Sequence, residues 1–300
     1  MTDRSYSEGG PTPRVVVLTM AQNEADMLRR WVDYYSRQVG AENLVVLDDN
    51  SDDGSTDGLS CTRLQVPPGP WKSSWAQTRL GLVNGMSRGL LACYDVVVFT
   101  DVDEFLVPDP ARYDGLIDYL RTNQDRKIIA PLAVNVLHIP AVEPALDPGR
   151  PVLMQRRFVK FAPGMCKPLI KRVPADWTAA FHGVAKPFEI DRDLLMLHLK
   201  YCDLPSLIKT SEHRHASREE GRGHRRSAWV LETQDLTSRL LSWVQTPDEQ
   251  DVAEFDPREP DLTNIVRRKE KGYFRSHGPQ LEAMEQNPLR QLPQRMREVF

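Results

Sequence analysis

The chain has 300 residues, of which 40% are hydrophobic and 27% are charged, and its formal net charge is −3. This length is enough for one large domain or two modest ones with a real hydrophobic core. The slightly acidic balance gives no overall electrostatic attraction to nucleic acid, and no apolar run approaches the roughly 20 residues that a membrane-spanning helix needs. We therefore expect a globular protein that binds no nucleic acid and has no transmembrane segment, with peripheral membrane association left open.

Residues 1–13 are polar, contain two glycines and two prolines, and are predicted to be a flexible tail. The four cysteines are widely spaced and include no CxxC pair, which favours neither a zinc site nor a disulfide framework. They are Cys61, Cys93, Cys166 and Cys202. We interpret them as reduced thiols of a cytoplasmic protein.

Strand and helix patterns alternate over the first 105 residues. An apolar strand at 15–20 is followed by Asn23 and Glu24, which suit the start of a helix. Apolar residues at helical spacing come next. A second apolar strand at 44–47 then runs into the polar turn 48–55, which no buried strand could contain.

The alternation continues with a short strand at 64–66, a helix over 73–92 and a strand at 95–100. It predicts an α/β fold with a mostly parallel central sheet and helices on both faces. Ligands of such sheets bind beyond the carboxyl ends of the strands. The three polar clusters found so far, Asn23/Glu24, 48–53 and 101–104, all follow strands and are expected at that edge.

Asp101 and Asp103 follow the strand at 95–100 directly and are separated by one residue. Residues i and i+2 at a strand end point the same way, so both carboxylates can reach one point beyond the sheet. A divalent cation with oxygen ligands would relieve their repulsion and would be well placed to bind a diphosphate. The alternative for Asp101 and Asp103 is a helix cap or a solvated turn. Glu104 fits equally well as part of the site or as the salt-bridge partner of a helix.

After residue 110 the pattern changes to mixed strands and loops. A helix at 113–121 precedes strands at 128–134, 152–160 and 168–173, and a further apolar stretch follows at 188–199 with His198 near its end. Residues 111–205 are thus expected to form the second half of the domain that begins at 14–110. Residues 206–300 are predicted to be a helical region, with helices over 206–245 and near 262–271 and a peripheral tail after them.

The ordered motifs Asn23-Glu24, Asp48-Asp49-x-Ser-x-Asp-Gly-Ser and Asp101-x-Asp103-Glu-Phe resemble those of nucleotide-sugar glycosyltransferases of the A-type fold. The best match is the family 2-like branch, over about residues 14–110. The resemblance implies that residues 21–24 (Ala21, Gln22, Asn23 and Glu24) line a nucleoside pocket. It implies that Asp49, with Asp48 beside it, contacts the base or ribose. It also implies that Asp101 and Asp103 hold ribose and Mn²⁺ or Mg²⁺, joined by a histidine ligand, for which His198 is the first candidate and His182 the second.

The implied reaction transfers a sugar from a nucleotide-diphosphate donor, with a UDP-sugar favoured, to an acceptor hydroxyl with inversion. It needs a base. The second half lacks a clear copy of the short acidic motif that supplies one in family 2-like enzymes, and Asp176 and Glu189 are the candidates.

Trp177 is expected to stack on a sugar. The basic segment 209–226 is either a mobile lid or a solvated helix face.

Two other functions fit part of the pattern. A haloacid-dehalogenase-like phosphatase also presents Asp-x-Asp after an apolar strand, but on the first strand of its core, whereas about 85 residues precede the motif here. A non-catalytic sugar-nucleotide-binding protein would keep the pocket and lack the base.

Overall fold

The structure is a computed structural model that describes residues 10–70, 72–209, 238, 252–278 and 285–300. The helices are α1 (Ala25–Val39), α2 (Trp75–Leu90), α3 (Leu116–Thr122), α4 (Val152–Gln155) and α5 (Gln294–Arg297). The strands are β1 (Val15–Ala21), β2 (Leu44–Asp48), β3 (Thr62–Gln65), β4 (Val96–Phe99), β5 (Glu104–Pro108), β6 (Ile128–Leu137), β7 (Phe158–Phe161), β8 (Ile170–Lys171), β9 (Gly183–Val184), β10 (Glu189–Tyr201), β11 (Val266–Arg268), β12 (Phe274–Ser276) and β13 (Arg290–Gln291).

Ten strands form one sheet, along which the order is β13-β7-β6-β8-β4-β1-β2-β3, with β10 pairing both β5 and β6. The strands from the first half are parallel, since β1 pairs in parallel with β2 and β4, and β2 with β3. The strand β8 then joins β4 to β6 by antiparallel pairing on both sides. The expected α/β class is confirmed, with the parallel part of the sheet built by the alternating segment of the sequence.

The two long helices cover opposite faces of the parallel strands. Every residue of β1 is buried, as expected for a strand covered on both faces. Because successive side chains point to opposite faces, Val17 packs in one core with Trp31 of α1, and Val16 packs in another with Val83 of α2. The prediction of helices on both faces is therefore confirmed.

The second half is mixed, as predicted. The 13-residue strand β10 pairs in parallel with β6 and antiparallel with β5, which sets His198 opposite Glu104. The strand expected at 152–160 is shorter than predicted, because its first residues form α4. There the Gln155 amide donates to the carbonyls of Asp147, Arg150 and Pro151, which stabilises a turn instead of an extended strand.

The helix expected near 262–271 is wrong. Residues 266–276 form an antiparallel hairpin of β11 and β12, and β12 also pairs with β9. Asn264 and Gly272 have φ values of 63° and 82°, a left-handed conformation that no right-handed helix contains. Of the helix expected at 206–245, residues 204–209 are helical. The remainder, and the predicted lid from residue 210 to 226, lie outside the described residues apart from Ser238.

The peripheral tail expected after residue 271 is also wrong. Leu292 and Met296 are fully buried, and β13 pairs with β7 at the edge of the main sheet. The Phe300 ring stacks on Phe105 with 4.5 Å between ring centroids, and it lies 4.9 Å from Tyr34 of α1. These contacts place the last described residues in the main core.

None of the described helices combines the length and the apolar character that a membrane span requires. All four cysteines are free thiols, of which Cys166 and Cys202 are buried.

Candidate functional site

The loops after β1 and β2 are joined at the carboxyl edge of the sheet. The Asn23 amide donates to Asp52 over 2.8 Å, and the Asp52 backbone N–H donates back to the Asn23 side chain over 3.0 Å. The Asp49 N–H donates to the Ala21 carbonyl over 2.8 Å, and the Gln22 amide donates to the Asp49 carbonyl over 2.9 Å. Two segments that are 28 residues apart in sequence therefore form one polar wall.

Asp48 holds the loop after β2, which forms part of this wall. Its buried carboxylate accepts from the Ser51 N–H over 2.9 Å, from the Thr56 hydroxyl over 3.1 Å and from Arg63. Burial alone would raise the pKa of Asp48, but these hydrogen bonds hold it below its usual value. Both oxygens are engaged within the protein, so Asp48 shapes the loop, and its neighbour Asp49 lies next to the Asn23 loop.

Asp101 leaves β4 between two cations. One carboxylate oxygen bonds to Arg79 of α2, and the other lies 3.3 Å from Lys167 Nζ. Burial opposes ionisation of Asp101, but the charges of Lys167 and Arg79 outweigh it and hold the Asp101 pKa well below its usual range.

Lys167 also bonds to Glu104, and both side chains are almost fully buried, at 2% and 1% exposure. Glu104 in turn accepts from the Asp101 N–H over 3.1 Å. Burial raises the pKa of Glu104, and the neighbouring Asp101 and Asp103 raise it further, while Lys167 lowers it. Burial lowers the pKa of Lys167, but Glu104 and Asp101 more than compensate and raise it. The buried ammonium thus holds two carboxylates together.

Asp103, Glu104 and His198 each offer a ligand atom within 4.8 Å of the other two. The His198 Nδ1 lies 2.6 Å from the Asn135 Oδ1, and the His198 Nε2 faces Asp103, whose carboxylate oxygen is 3.5 Å away. As a metal ligand, His198 would donate its Nδ1 proton to Asn135 and offer Nε2 to the ion. Carboxylate oxygens and an imidazole nitrogen are ligand types that divalent metal ions take in proteins. The donor set therefore fits a divalent cation.

Helix α1 fixes the backbone that carries these carboxylates. Trp31 Nε1 donates to the Thr100 hydroxyl over 2.8 Å, and the Tyr35 hydroxyl donates to the Glu104 carbonyl over 3.1 Å. The Tyr34 hydroxyl donates to the Leu106 carbonyl over 2.6 Å. The apolar stripe that makes α1 a helix therefore also positions the metal-binding segment.

No protein-family model matches the chain. Two plant proteins named as family 92 glycosyltransferases match part of it. The one from Oryza sativa subsp. japonica is 35% identical over 94 residues, which are 30% of this chain and 15% of that protein. The one from Arabidopsis thaliana is 32% identical over 118 residues, 38% of this chain and 20% of that protein. The chain thus spans at most a fifth of the length of these relatives.

Two solved structures align with less than half of this chain. A mannosyltransferase from Pyrobaculum calidifontis, in complex with GDP-Man and Mn²⁺, aligns with 41% of this chain and 36% of its own at 22% identity and a TM-score of 0.30. Glucosyl-3-phosphoglycerate synthase from Mycobacterium tuberculosis, with Mn²⁺ and UDP, aligns with 40% of this chain and 44% of its own at 19% identity and a TM-score of 0.28. The matched relatives carry the family 92 name, so the family 2-like assignment is not confirmed.

The structure brings most of the predicted donor-side residues together. Asp103 and His198 lie in one group with Glu104. Asp101, which was also predicted to hold the metal, lies outside that group, because its two carboxylate oxygens bond to Arg79 and Lys167. Asn23 and Asp49 line the joined loops, and Glu24 occupies the N-cap position of α1.

The two candidate bases lie elsewhere. Asp176 pairs with Arg88, which is nine residues, or about 13 Å, along α2 from Arg79. Glu189 has a side chain that is 88% exposed at the start of β10. It lies opposite Ile129 of β6, whereas His198 lies opposite Asn135, six residues or roughly 20 Å further along that strand. Neither carboxylate reaches the cluster.

Two further expectations are corrected. Trp177 is 2% exposed, packs against Phe99, and donates its Nε1–H to the Pro168 carbonyl over 2.6 Å. It is a core residue and presents no face to a sugar. His182 lies outside the Asp103–Glu104–His198 group. Its Nδ1 contacts the Gly164 carbonyl at 2.5 Å, and burial together with Lys167 and Arg275 lowers its pKa to about 3.

Sequence reasoning missed Arg79, Lys167 and Asn135. Each comes from a different element and reaches the cluster only through the tertiary fold. One weak sequence signal pointed to Arg79, which lies in the first turns of the helix that follows the capping residue Ser74.

Proposed function

We propose that this chain carries the donor site of a metal-dependent glycosyltransferase, which moves a sugar from a nucleotide-diphosphate donor to an acceptor hydroxyl. The observation that carries the proposal is the cluster at the carboxyl edge, where Asp103, Glu104 and His198 fit a divalent cation. The partial matches to proteins named glycosyltransferases support the same activity. The proposal includes two expectations that rest on the motifs, namely that the donor is a UDP-sugar and that the transfer occurs with inversion.

In this reaction negative charge grows on the diphosphate leaving group. Asp103, Glu104 and His198 would hold Mn²⁺ or Mg²⁺, which would supply a Lewis acid that stabilises that charge. The chain itself provides Arg79, which is 27% exposed beside the cluster. Its guanidinium suits a phosphate oxygen because it can donate two parallel hydrogen bonds.

The nucleoside is assigned to the wall formed by the loops after β1 and β2. Asn23 and Asp49 lie there, and the reciprocal Asn23–Asp52 pair keeps the two loops in register. Residues 14–110 would thus supply most of the donor site, to which His198 and Lys167 are added from residues 111–205, and the rest of 111–205 would bind the acceptor. Because Asp176 and Glu189 lie far from the cluster, deprotonation of the acceptor has no assigned residue, and transfer must be measured separately from binding.

Calorimetric titration with UDP-, GDP-, dTDP- and ADP-sugars, with and without Mn²⁺, tests the donor site. We expect one nucleotide class to bind only with metal, and Asp103→Asn to abolish that binding. Asp33→Asn, which removes an exposed carboxylate on α1 paired with Arg37, is the matched control and should bind as the wild type does. If no sugar nucleotide binds under any condition, the proposal is wrong.

Product analysis with the donor that binds then separates the possible outcomes. Release of the nucleoside diphosphate with a new glycoside would establish transfer. Donor binding without transfer or hydrolysis across a broad acceptor panel would instead indicate a binding protein, and phosphate release from simple phosphomonoesters would indicate a phosphatase.

A further inference from the structure

We propose that Arg79 and Lys167 act as built-in counter-cations that make the divalent cation and the donor diphosphate bind jointly. This inference rests on the proposed function and extends it to two residues that the motifs do not include. It starts from the charges at the cluster. Counted in their ionised forms, Asp101, Asp103 and Glu104 contribute three negative charges and Arg79 and Lys167 two positive ones, so these five side chains sum to −1.

A net charge of −1 is a weak attractor for a doubly charged cation. Arg79 and Lys167 already bond to opposite oxygens of Asp101, and Lys167 also bonds to Glu104. A divalent cation that enters beside Asp103 and Glu104 is therefore repelled by two fixed positive charges. At separations of a few ångströms such repulsion weakens the binding of the cation alone.

A diphosphate reverses this balance, because it brings two or three negative charges that the two side chains and the cation can share. Arg79 is placed to interact with the diphosphate. Its guanidinium lies 5.0 Å from the Phe181 ring centroid and 5.8 Å from that of Phe99, which fixes its plane, while 27% of the side chain stays exposed. Lys167 is 2% exposed and acts through Asp101 and Glu104. Each ligand should therefore tighten the binding of the other by the same factor.

Neutralising Arg79 should move the two affinities in opposite directions. In Arg79→Gln the cluster carries −2, so Mn²⁺ alone should bind about tenfold tighter, while UDP or GDP at saturating Mn²⁺ should bind about tenfold more weakly. Arg79→Lys keeps the charge and should leave Mn²⁺ affinity unchanged. Arg88→Gln removes the same charge from the same helix about 13 Å away and is the matched control.

The measurements are Mn²⁺ binding by electron paramagnetic resonance without nucleotide, and UDP and GDP binding by calorimetry with Mn²⁺. Lys167→Met, checked for folding by circular dichroism, should repeat the opposite shifts. A loss of both affinities in Arg79→Gln, or no change in either, would overturn the role of these residues. Failure of wild-type protein with Mn²⁺ to bind any nucleoside diphosphate or sugar nucleotide would instead overturn the proposed function, so the two failures are distinguishable.

Discussion

His198 depends on Asn135 for the orientation of its ring. The histidine lies on β10 and the asparagine directly opposite on β6, in the parallel register that pairs these two residues. The short contact of 2.6 Å between Nδ1 and Oδ1 leaves Nε2 as the atom that faces Asp103. Partners of this kind fix the tautomer of metal-binding histidines and increase their basicity.

We therefore expect Asn135→Ala to weaken Mn²⁺ binding by about tenfold, because the imidazole loses the partner that fixes its proton and its plane. Mn²⁺ titration followed by electron paramagnetic resonance measures the change. Asn123→Ala is the matched control, since that amide donates to the Tyr119 carbonyl at the end of α3. An unchanged Mn²⁺ affinity in Asn135→Ala would contradict the orienting role of Asn135.

At this scale the sequence predicts the acidic members of the cluster and misses the basic ones. Asp101 and Asp103 are detectable because two carboxylates at a strand end are a local pattern, and His198 because it interrupts an apolar run. Lys167 lies 66 residues from the carboxylate it contacts, and Arg79 lies 22 residues away. Nothing local distinguishes either from a surface cation, since only tertiary packing brings them to the cluster.

Lys171 provides a pH-dependent contribution to stability that is separate from the site. Its Nζ donates to the Ala175 carbonyl over 2.7 Å and lies 3.3 Å from the Trp177 ring centroid. Burial is the largest cause of the shift that lowers its pKa to about 7, and Asp176 opposes it. Between pH 7 and 10.5 the unfolded chain therefore holds a proton that the folded protein has released. Stability must rise with pH in that window and level off below pH 7.

The expected consequence is measured as a difference between variants. From pH 7 to 9, wild-type protein should gain about 2 kcal/mol in its free energy of unfolding relative to Lys171→Met. Urea unfolding at each pH measures it, and subtraction removes the titration of every other group. The exposed Lys186→Met serves as control and should run parallel to wild type. Parallel curves for Lys171→Met as well would contradict the lowered pKa.

At the scale of elements, the sequence predicts segments whose periodicity reflects burial and fails where packing decides. The strands β1, β2 and β4 are buried throughout and are easily found as apolar runs. The hairpin of β11 and β12 is short and exposed on one side, so its charged residues gave no strand pattern. The C-terminal residues are mostly charged or polar, so the sequence did not reveal that three apolar residues among them are buried. These residues are Leu292, Met296 and Phe300.

The C-terminal segment should accordingly contribute to global stability. Phe300→Ala removes a ring that is 8% exposed and stacked on Phe105, and we expect it to lower the free energy of unfolding by about 2–4 kcal/mol. Met154→Ala on the neighbouring α4 is the control. Its side chain is 60% exposed, so the cost should stay within about 0.5 kcal/mol. If Phe300→Ala costs no more than Met154→Ala, the prediction of a peripheral tail would be restored.

At the scale of the whole molecule, the main sheet joins the two halves that differ in sequence character. The short strand β8 pairs with β4 from the first half and with β6 from the second, and β6 pairs with β10. Carboxylates of the cluster come from the β4–β5 segment, whereas Lys167 precedes β8 and His198 lies on β10. The cluster is therefore assembled only when both halves are folded together.

This continuity predicts that β1 and β10 open in one cooperative unit. Native-state hydrogen exchange read by mass spectrometry should give peptides covering 15–21 and 189–201 the same opening free energy, to within about 1 kcal/mol, because the paired strands β4, β8 and β6 connect β1 to β10 in one sheet. The hairpin at 266–276 belongs to a separate three-stranded sheet and provides an internal comparison that should open at lower free energy. If 189–201 instead exchanges several kcal/mol more easily than 15–21, the halves unfold separately. The cation and donor sites would then be coupled through ligand binding alone rather than through a shared sheet.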